Sequence, residues 1–308
     1  MKFVLSSILV SLLLVGHAQT ERSNLLKLAE EQTLQKKYPE ALENYNKHLA
    51  VDSSDGLVYF KRGLVKFYLK QDKAALLDYN KALVLHLGDY EIYYRRGLAN
   101  YYIKDYKSAL EDFNKSISMK SDHSNTYAFR GAVFMALGKD QECVNDETMA
   151  LWYDPQNVFA YYYRGVSRGK LKEHWGAMAD LTSAITLKET ADYYYQRALI
   201  CYELSDYKAS VKDASHTIKI KDDFWSAFLL RGMCKISLRE NGSAIKDLTR
   251  SLELRPAQGK AFYFRGIAKK QSMDIPGACS DLNTAKNLGY AKSLEELEKI
   301  NCISSASR

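Results

Sequence analysis

The chain has no block of five or six basic residues, although lysine and arginine outnumber aspartate and glutamate 44 to 37. The formal net charge of +7 includes Lys2. Such an excess favours nucleic acid or an anionic surface, but without a concentrated block the reading is no nucleic-acid partner. Beyond residue 15 no apolar run approaches the roughly 20 residues of a bilayer span. His48, His86, His123, His174 and His216 are scattered, with neither HExxH nor cysteine-histidine zinc spacing. There is no phosphate-binding glycine loop and no GxSxG. These absences predict no catalytic residue, no metal and no cofactor. Prolines are few, four in 308 residues, and the composition of 46% hydrophobic and 26% charged is a normal soluble one with ample core material.

What is present begins with a leader. "MK" precedes the apolar stretch "FVLSSILVSLLLV", and Gly16-His17-Ala18 puts small residues where a signal peptidase inspects the chain. The expectation is cleavage after Ala18 and export to a periplasmic or secreted location, with no membrane span left. An uncleaved anchor is the alternative. No cysteine at the new amino terminus invites a lipid.

The rest is one unit repeated. Strings such as "YFKRG", "YYRRG", "YYYRG" and "FYFRG" end on Gly63, Gly97, Gly165 and Gly266, and Ala29, Gly131, Ala198 and Gly232 complete the series. The spacings are 34, 34, 34, 34, 33, 34 and 34, the signature of a stacked repeat. A second small residue follows twelve positions on (Ala41, Ala75, Ala109, Cys143, Ala177, Ser210, Ala244, Ala278), and a third seven beyond that. Each unit reads as two helices: in the third, Tyr93, Gly97 and Asn100 share a face, "IKDYK" turns, and Ala109, Phe113 and Ser116 form the inner stripe of the second helix. A helical glycine costs about 1 kcal/mol against alanine, so its return in six units points to a close approach of two helix backbones, with a small residue opposite and the aromatic four places earlier alongside. Pro39 and Pro276 stand near the start of a second helix, where proline is tolerated.

With the aromatic, the glycine or alanine, the second alanine, the large residue (Tyr45, Tyr79, Phe113, Leu181, Leu248, Leu282) and the last small residue in place, the chain resembles a tetratricopeptide repeat protein of an exported bacterial type. Cys143 and Glu147 in the fourth unit depart most from the pattern. The resemblance implies an all-α, right-handed α-solenoid whose first helices line a concave face. Its eight tandem repeats are 22–55, 56–89, 90–123, 124–157, 158–190, 191–224, 225–258 and 259–289. Residues 1–18 are the signal peptide, "YAKSLEELEKI" opens a capping helix over 290–302 with Leu294 and Leu297 on one side, and 303–308 is a tail. Neighbouring repeats supply each other's core.

Arginine precedes the small residue in seven units: Arg62, Arg96, Arg130, Arg164, Arg197, Arg231 and Arg265. Aspartate stands sixteen places later in each: Asp78, Asp112, Asp146, Asp180, Asp213, Asp247 and Asp281. The first unit has neither, with Leu28 and Asn44 instead. Joint loss predicts structural ion pairs in a partly buried seam, within a repeat or across a junction. The competing reading is an arginine ladder for phosphate or an acidic peptide.

Three places before each glycine, Leu26, Phe60, Tyr94, Ala128, Tyr162, Tyr195, Leu229 and Tyr263 are expected to look into the groove, reinforced a turn later by Leu64, Leu98, Val166 and Leu199. Tyrosine offers broad contact with a polar tip, so a protein or peptide ligand is the implied partner; packing against adjacent first helices is the alternative. Of five cysteines, Cys279 and Cys302 fall side by side if the last helices form a hairpin, and an oxidising compartment permits their disulfide. Cys143, Cys201 and Cys234 read as core fillers. Because repeats consume the chain, the expected function is a non-enzymatic interaction scaffold. A peptide-binding chaperone or adaptor of an envelope assembly or secretion machine, and a regulator of a cell-wall or polysaccharide enzyme, are the alternatives.

Overall fold

The computed structural model describes residues 19–302 apart from 21 and 86. The proposed signal peptide and the tail 303–308 lie outside the described residues. Every element among them is helical, and the chain divides into two compact units, Met1–Pro155 and Gln156–Arg308.

Unit 1 holds α1 (22–34), α2 (Tyr38–Val51), α3 (Gly56–Tyr68), α4 (Asp72–Val84), α5 (Tyr90–Tyr102), α6 (Tyr106–Met119), α7 (Ser124–Ala136) and α8 (Asp140–Tyr153). Unit 2 holds α9 (Val158–Lys170), α10 (His174–Leu187), α11 (Ala191–Glu203), α12 (Tyr207–Ile220), α13 (Trp225–Ser237), α14 (Asn241–Leu254), α15 (Gly259–Gln271), α16 (Ile275–Asn287) and the short α17 (Lys292–Lys299). Odd-numbered helices up to α15 are first helices, even-numbered ones second helices. Each first helix packs on its own second helix and on the second helix before it within its unit. First helices of successive repeats also touch, α3 with α5 and α5 with α7 in unit 1, and α9, α11, α13 and α15 in series in unit 2. They therefore lie on the inner side of each unit.

A left-handed residue makes the turn inside every repeat: Lys36, Lys70, Lys104, Gly138, Lys172, Ser205, Arg239 and Met273, with φ between 60° and 73°. At Lys70 its N–H donates to Phe67 O at 3.0 Å and the Gln71 N–H reaches Lys66 O at 2.9 Å, which satisfies carbonyls orphaned at the end of α3. Side chains of Asp55, Asp105, Asn157, Thr190, Asp206 and Asp274 accept from backbone N–H groups at the opening turns that follow.

The repeated glycine lets two helix backbones approach: a Cβ on Gly165, Gly232 or Gly266 would lie 3.3–3.4 Å from the carbonyl oxygen of Ala177, Ala244 or Ala278. It also makes a notch for the large residue sixteen places on. A Cβ on Gly97 would sit 2.7 Å from the Phe113 ring, and one on Gly232 2.7 Å from Leu248 Cγ. Phe113 and Leu248 are fully buried in these notches. The sixth repeat swaps the volumes, with Ala198 facing into a cluster that contains Ala214. In the fourth, both Cys143 and Glu147 are fully buried, and Glu147 lies over Gly131.

The terminal helix is shorter than its expected 290–302 span and its buried stripe differs. Ser293 and Leu297 are buried at i, i+4, while Leu294 is 43% exposed. Lys270 on α15 binds Glu296 at 3.0 Å. A disulfide joins Cys279 on α16 to Cys302, with Cα atoms 5.7 Å apart. An eight-residue helix is marginal alone, so this bond and the Leu297 contact hold it over the last repeat. Cys143, Cys201 and Cys234 are buried thiols outside the disulfide; burial pushes the Cys201 thiol up to about 11.

Candidate functional site: an arginine seam and an inner-face cleft

The seven arginines project from first helices in the turn just before the notch, and each meets the aspartate of its own repeat. Nε and Nη2 reach the carboxylate oxygens at 2.6–3.1 Å in every case, from Arg62–Asp78 to Arg265–Asp281. All seven aspartates are at most 7% exposed, so water does little to screen the pairs.

Two further contacts leave no regular mark in the sequence. The Nη1 of Arg62, Arg96 and Arg130 donates to Asn46, Asn80 and Asn114 at 2.7–2.9 Å. In unit 2 the Nη1 of Arg197, Arg231 and Arg265 reaches Thr182, Ser215 and Thr249 at 3.0–3.2 Å. These acceptors sit on the second helix of the preceding repeat, so one planar guanidinium pairs within its repeat and crosses the junction. The aromatic before the glycine also has a role beyond filling space: the guanidinium carbon lies 5.2 Å from the Tyr59 ring centre for Arg62 and 5.5 Å from Phe228 for Arg231.

A second donor joins several aspartates from one helical turn on. Lys66, Arg168, Lys235 and Lys269 meet Asp78, Asp180, Asp247 and Asp281 at 2.7–2.8 Å. At Asp112 that donor is neutral Asn100, at 3.0 Å, and there burial pushes the carboxyl above its ordinary value despite Arg96. In the first repeat Asn44 donates to Gln32 at 2.8 Å, a neutral pair in the place of Asp and the second cation. Both carboxylate oxygens are engaged, so each of the seven guanidiniums is charge-paired within its own repeat.

The expected groove track divides. Tyr94 and Leu98 are 6% and 4% exposed and pack in a core cluster with Phe113, Phe129 and Val133. They are not groove surface, because the His123 and Phe129 rings of the adjoining segment close over Tyr94 at 4.8 Å and 6.2 Å. Ala128 and Leu229 are buried as well. Phe60, Leu64, Tyr162, Tyr195, Leu199 and Tyr263 stay half-buried. Three of these rings lean on an aromatic at the start of the next segment: Tyr162 on Tyr193 at 4.8 Å, Tyr195 on Phe224 at 4.9 Å, and Tyr263 on Tyr290 at 4.9 Å.

Between α9 and α11 the track opens into a cleft of about 460 Å³, lined by Val166, Gly169, Lys170, Leu199, Ile200 and Glu203 among others. Gly169 forms its floor, since a Cβ there would meet Ile200 Cδ1 at 2.6 Å. Lys172 binds Glu203 at 3.0 Å at its rim. The cleft offers an apolar floor with charges of both signs at one end. Among the described residues no group of histidine, cysteine, aspartate or glutamate is placed to hold a metal ion, and no helix is long and apolar enough to cross a membrane.

Comparison with known proteins follows the same lines. A model of the tetratricopeptide repeat matches residues 90–123. The curated relative "Tetratricopeptide repeat protein 6" of Homo sapiens is 28% identical over 102 residues, which is 33% of this chain and 20% of that protein. The chain thus matches about a fifth of that relative's length. Among solved structures, the Cut9–Hcn1 hetero-tetramer of the APC/C superposes with a TM-score of 0.62 at 14% identity, over 90% of this chain and 55% of that one. YrrB, described as a TPR protein with an unusual peptide-binding site, superposes with a TM-score of 0.56 at 18% identity, over 62% of this chain and all of that one.

Proposed function

We propose that this chain, which has the tetratricopeptide-repeat fold, is a non-enzymatic scaffold that docks a protein or peptide on the inner face of its first helices. The observation that carries the reading is the cleft between α9 and α11, where Val166 and Leu199 present apolar surface between Lys170 and Glu203. Tyr162 and Tyr195 flank it one turn earlier, half-buried and fixed by neighbouring rings. A preformed surface of this kind limits the ordering needed on binding. That a protein of the same fold is described as having a peptide-binding site is in keeping with it.

The export reading joins this proposal. The apolar stretch at 3–15 followed by Gly16-His17-Ala18 has the pattern of a cleavable leader, and a disulfide between Cys279 and Cys302 suits an oxidising compartment. The mass of the mature protein tests it: a chain beginning at Gln19 supports export, and one retaining residues 1–18 in the cytosol overturns it.

Docking is tested with peptides selected on the full chain from a random library. The Val166→Ala/Leu199→Ala variant, checked for an unchanged helical spectrum, is expected to lose about tenfold or more in affinity for them, because two apolar contacts of roughly 1 kcal/mol each are removed. Selected peptides that bind the folded variant as tightly as the parent place the site elsewhere.

A further inference from the structure

Unit 1 carries a second candidate surface, on its turn edge. The turns 34–40, 68–74 and 102–108 together contain six lysines and three carboxylates, whereas the fourth turn of unit 1, 136–142, has one lysine and two carboxylates. The four corresponding turns of unit 2, at 170–176, 203–209, 237–243 and 271–277, contain four cationic and five anionic side chains. Lys36, Lys37, Lys70, Lys73, Lys104 and Lys107 are all exposed, and among the described residues none has an acidic partner. One of the three carboxylates, Asp105, is already engaged by Ser108 N and Oγ at 3.2 Å and 2.8 Å.

Ring contacts tie the three turns into one edge. Tyr38 stacks on Tyr68 at 5.1 Å, Phe67 meets Tyr102 at 5.6 Å, and Lys70 Nζ lies 5.6 Å above the Tyr102 ring. Tyr68 and Tyr102 remain 43% and 49% exposed. Lysines and tyrosines therefore alternate along an edge that spans three repeats.

From this edge we infer a second docking surface, distinct from the inner-face cleft, that takes an extended acidic peptide segment of a partner protein. The six ammoniums, none with an acidic partner among the described residues, supply charge complementarity to carboxylates. The tyrosine edges and hydroxyls supply apolar contact and hydrogen bonds to the peptide between them. A nucleic-acid strand fits less well. Base stacking needs open ring faces, and here Tyr38 and Tyr68 cover one face of each other and Lys70 covers one face of Tyr102. The edge also has no arginine to fork onto phosphate.

The test is fluorescence anisotropy on the full chain with a labelled Glu-Pro repeat peptide, a Gln-Pro peptide of equal length and an oligothymidylate. The acidic peptide is expected to bind, to weaken as salt rises, and to lose about tenfold or more in affinity in the Lys36→Glu/Lys70→Glu/Lys104→Glu variant. Lys208→Glu/Lys212→Glu on α12 of unit 2 is the control and is expected to change nothing. No binding of the acidic peptide, equal binding of the Gln-Pro peptide, tighter binding of the oligothymidylate, or an equal loss in the α12 control would each overturn the inference. These are exposed side chains, so a helical spectrum identical to the parent's accompanies every variant. The Val166→Ala/Leu199→Ala variant should bind the acidic peptide normally, which separates this edge from the inner-face cleft.

Discussion

Replacing Asp247 by alanine tests the seam where its geometry is fullest. Arg231 donates to both carboxylate oxygens, at 2.9 Å and 2.6 Å, and Lys235 adds a third contact at 2.8 Å. The arginine and lysine side chains are only 18% and 15% exposed. Without the carboxylate, two cations face each other with little water to screen them. Removing one member of a buried pair costs about 3–5 kcal/mol, and the residual 18% exposure of Arg231 places this case toward the lower end. The readout is urea unfolding followed by circular dichroism. With a slope of about 1–3 kcal/mol/M, the midpoint should fall by about 1 M or more. The first repeat supplies the control, since Leu28, Gln32 and Asn44 occupy the arginine, second-cation and aspartate positions. Arg231→Leu/Lys235→Gln/Asp247→Asn copies that neutral set and should recover most of the loss, because the pair gives register more than net stability. A loss under about 0.5 kcal/mol for Asp247→Ala, the value of an ordinary surface change, refutes the seam.

Three other outcomes follow from local geometry. Gly232→Ala forces its Cβ against Leu248 and should destabilise by about 1–3 kcal/mol even though alanine is the better helix former, whereas an alanine at exposed Gly242 should be neutral or stabilising in the same melt. Iodoacetamide at mildly alkaline pH should leave the native protein unlabelled, add three labels after unfolding without reductant, and add five after reduction; five without reductant would break the Cys279–Cys302 assignment. Asn100→Lys should give Asp112 the second cation that Asp78 and Asp247 have. Because burial holds the Asp112 carboxyl above its unfolded value, the parent's contribution there is present below the unfolded carboxylate range and lost as pH rises through the folded value. The lysine should therefore raise stability at neutral pH and confer little in acid; an equal gain at both would contradict the assignment.

Much of this arrangement was legible because a repeat shows each position eight times. Arginine and aspartate stand sixteen apart in seven units and vanish together in the first, which points to a physical contact. The choice between pairing within a repeat and across a junction was not legible; the aspartate pairs lie within the repeat, and only neutral acceptors are reached across the junction. The carboxylate is internal, while the cross-junction acceptor varies among asparagine, threonine and serine, so no single residue type marks it. The glycine's close approach to the small residue twelve places on was legible, whereas its notch for the large side chain sixteen places on was not, because that side chain varies from Tyr79 and Phe113 to Glu147 and Leu248. Exposure of the inner track escaped the sequence because it depends on the adjoining segment. Tyr94 and Tyr195 hold the same repeat position, yet His123 and Phe129 bury the first, and Phe224 leaves the second half-open.

Hydrogen exchange on the full chain, with and without a peptide selected against it, tests the scaffold reading most directly. Protection is expected on α9 and α11 around Val166 and Leu199, with the outward faces of α10, α12 and α14 unchanged. Protection confined to those second helices, or none under saturating peptide, would contradict docking on the inner face.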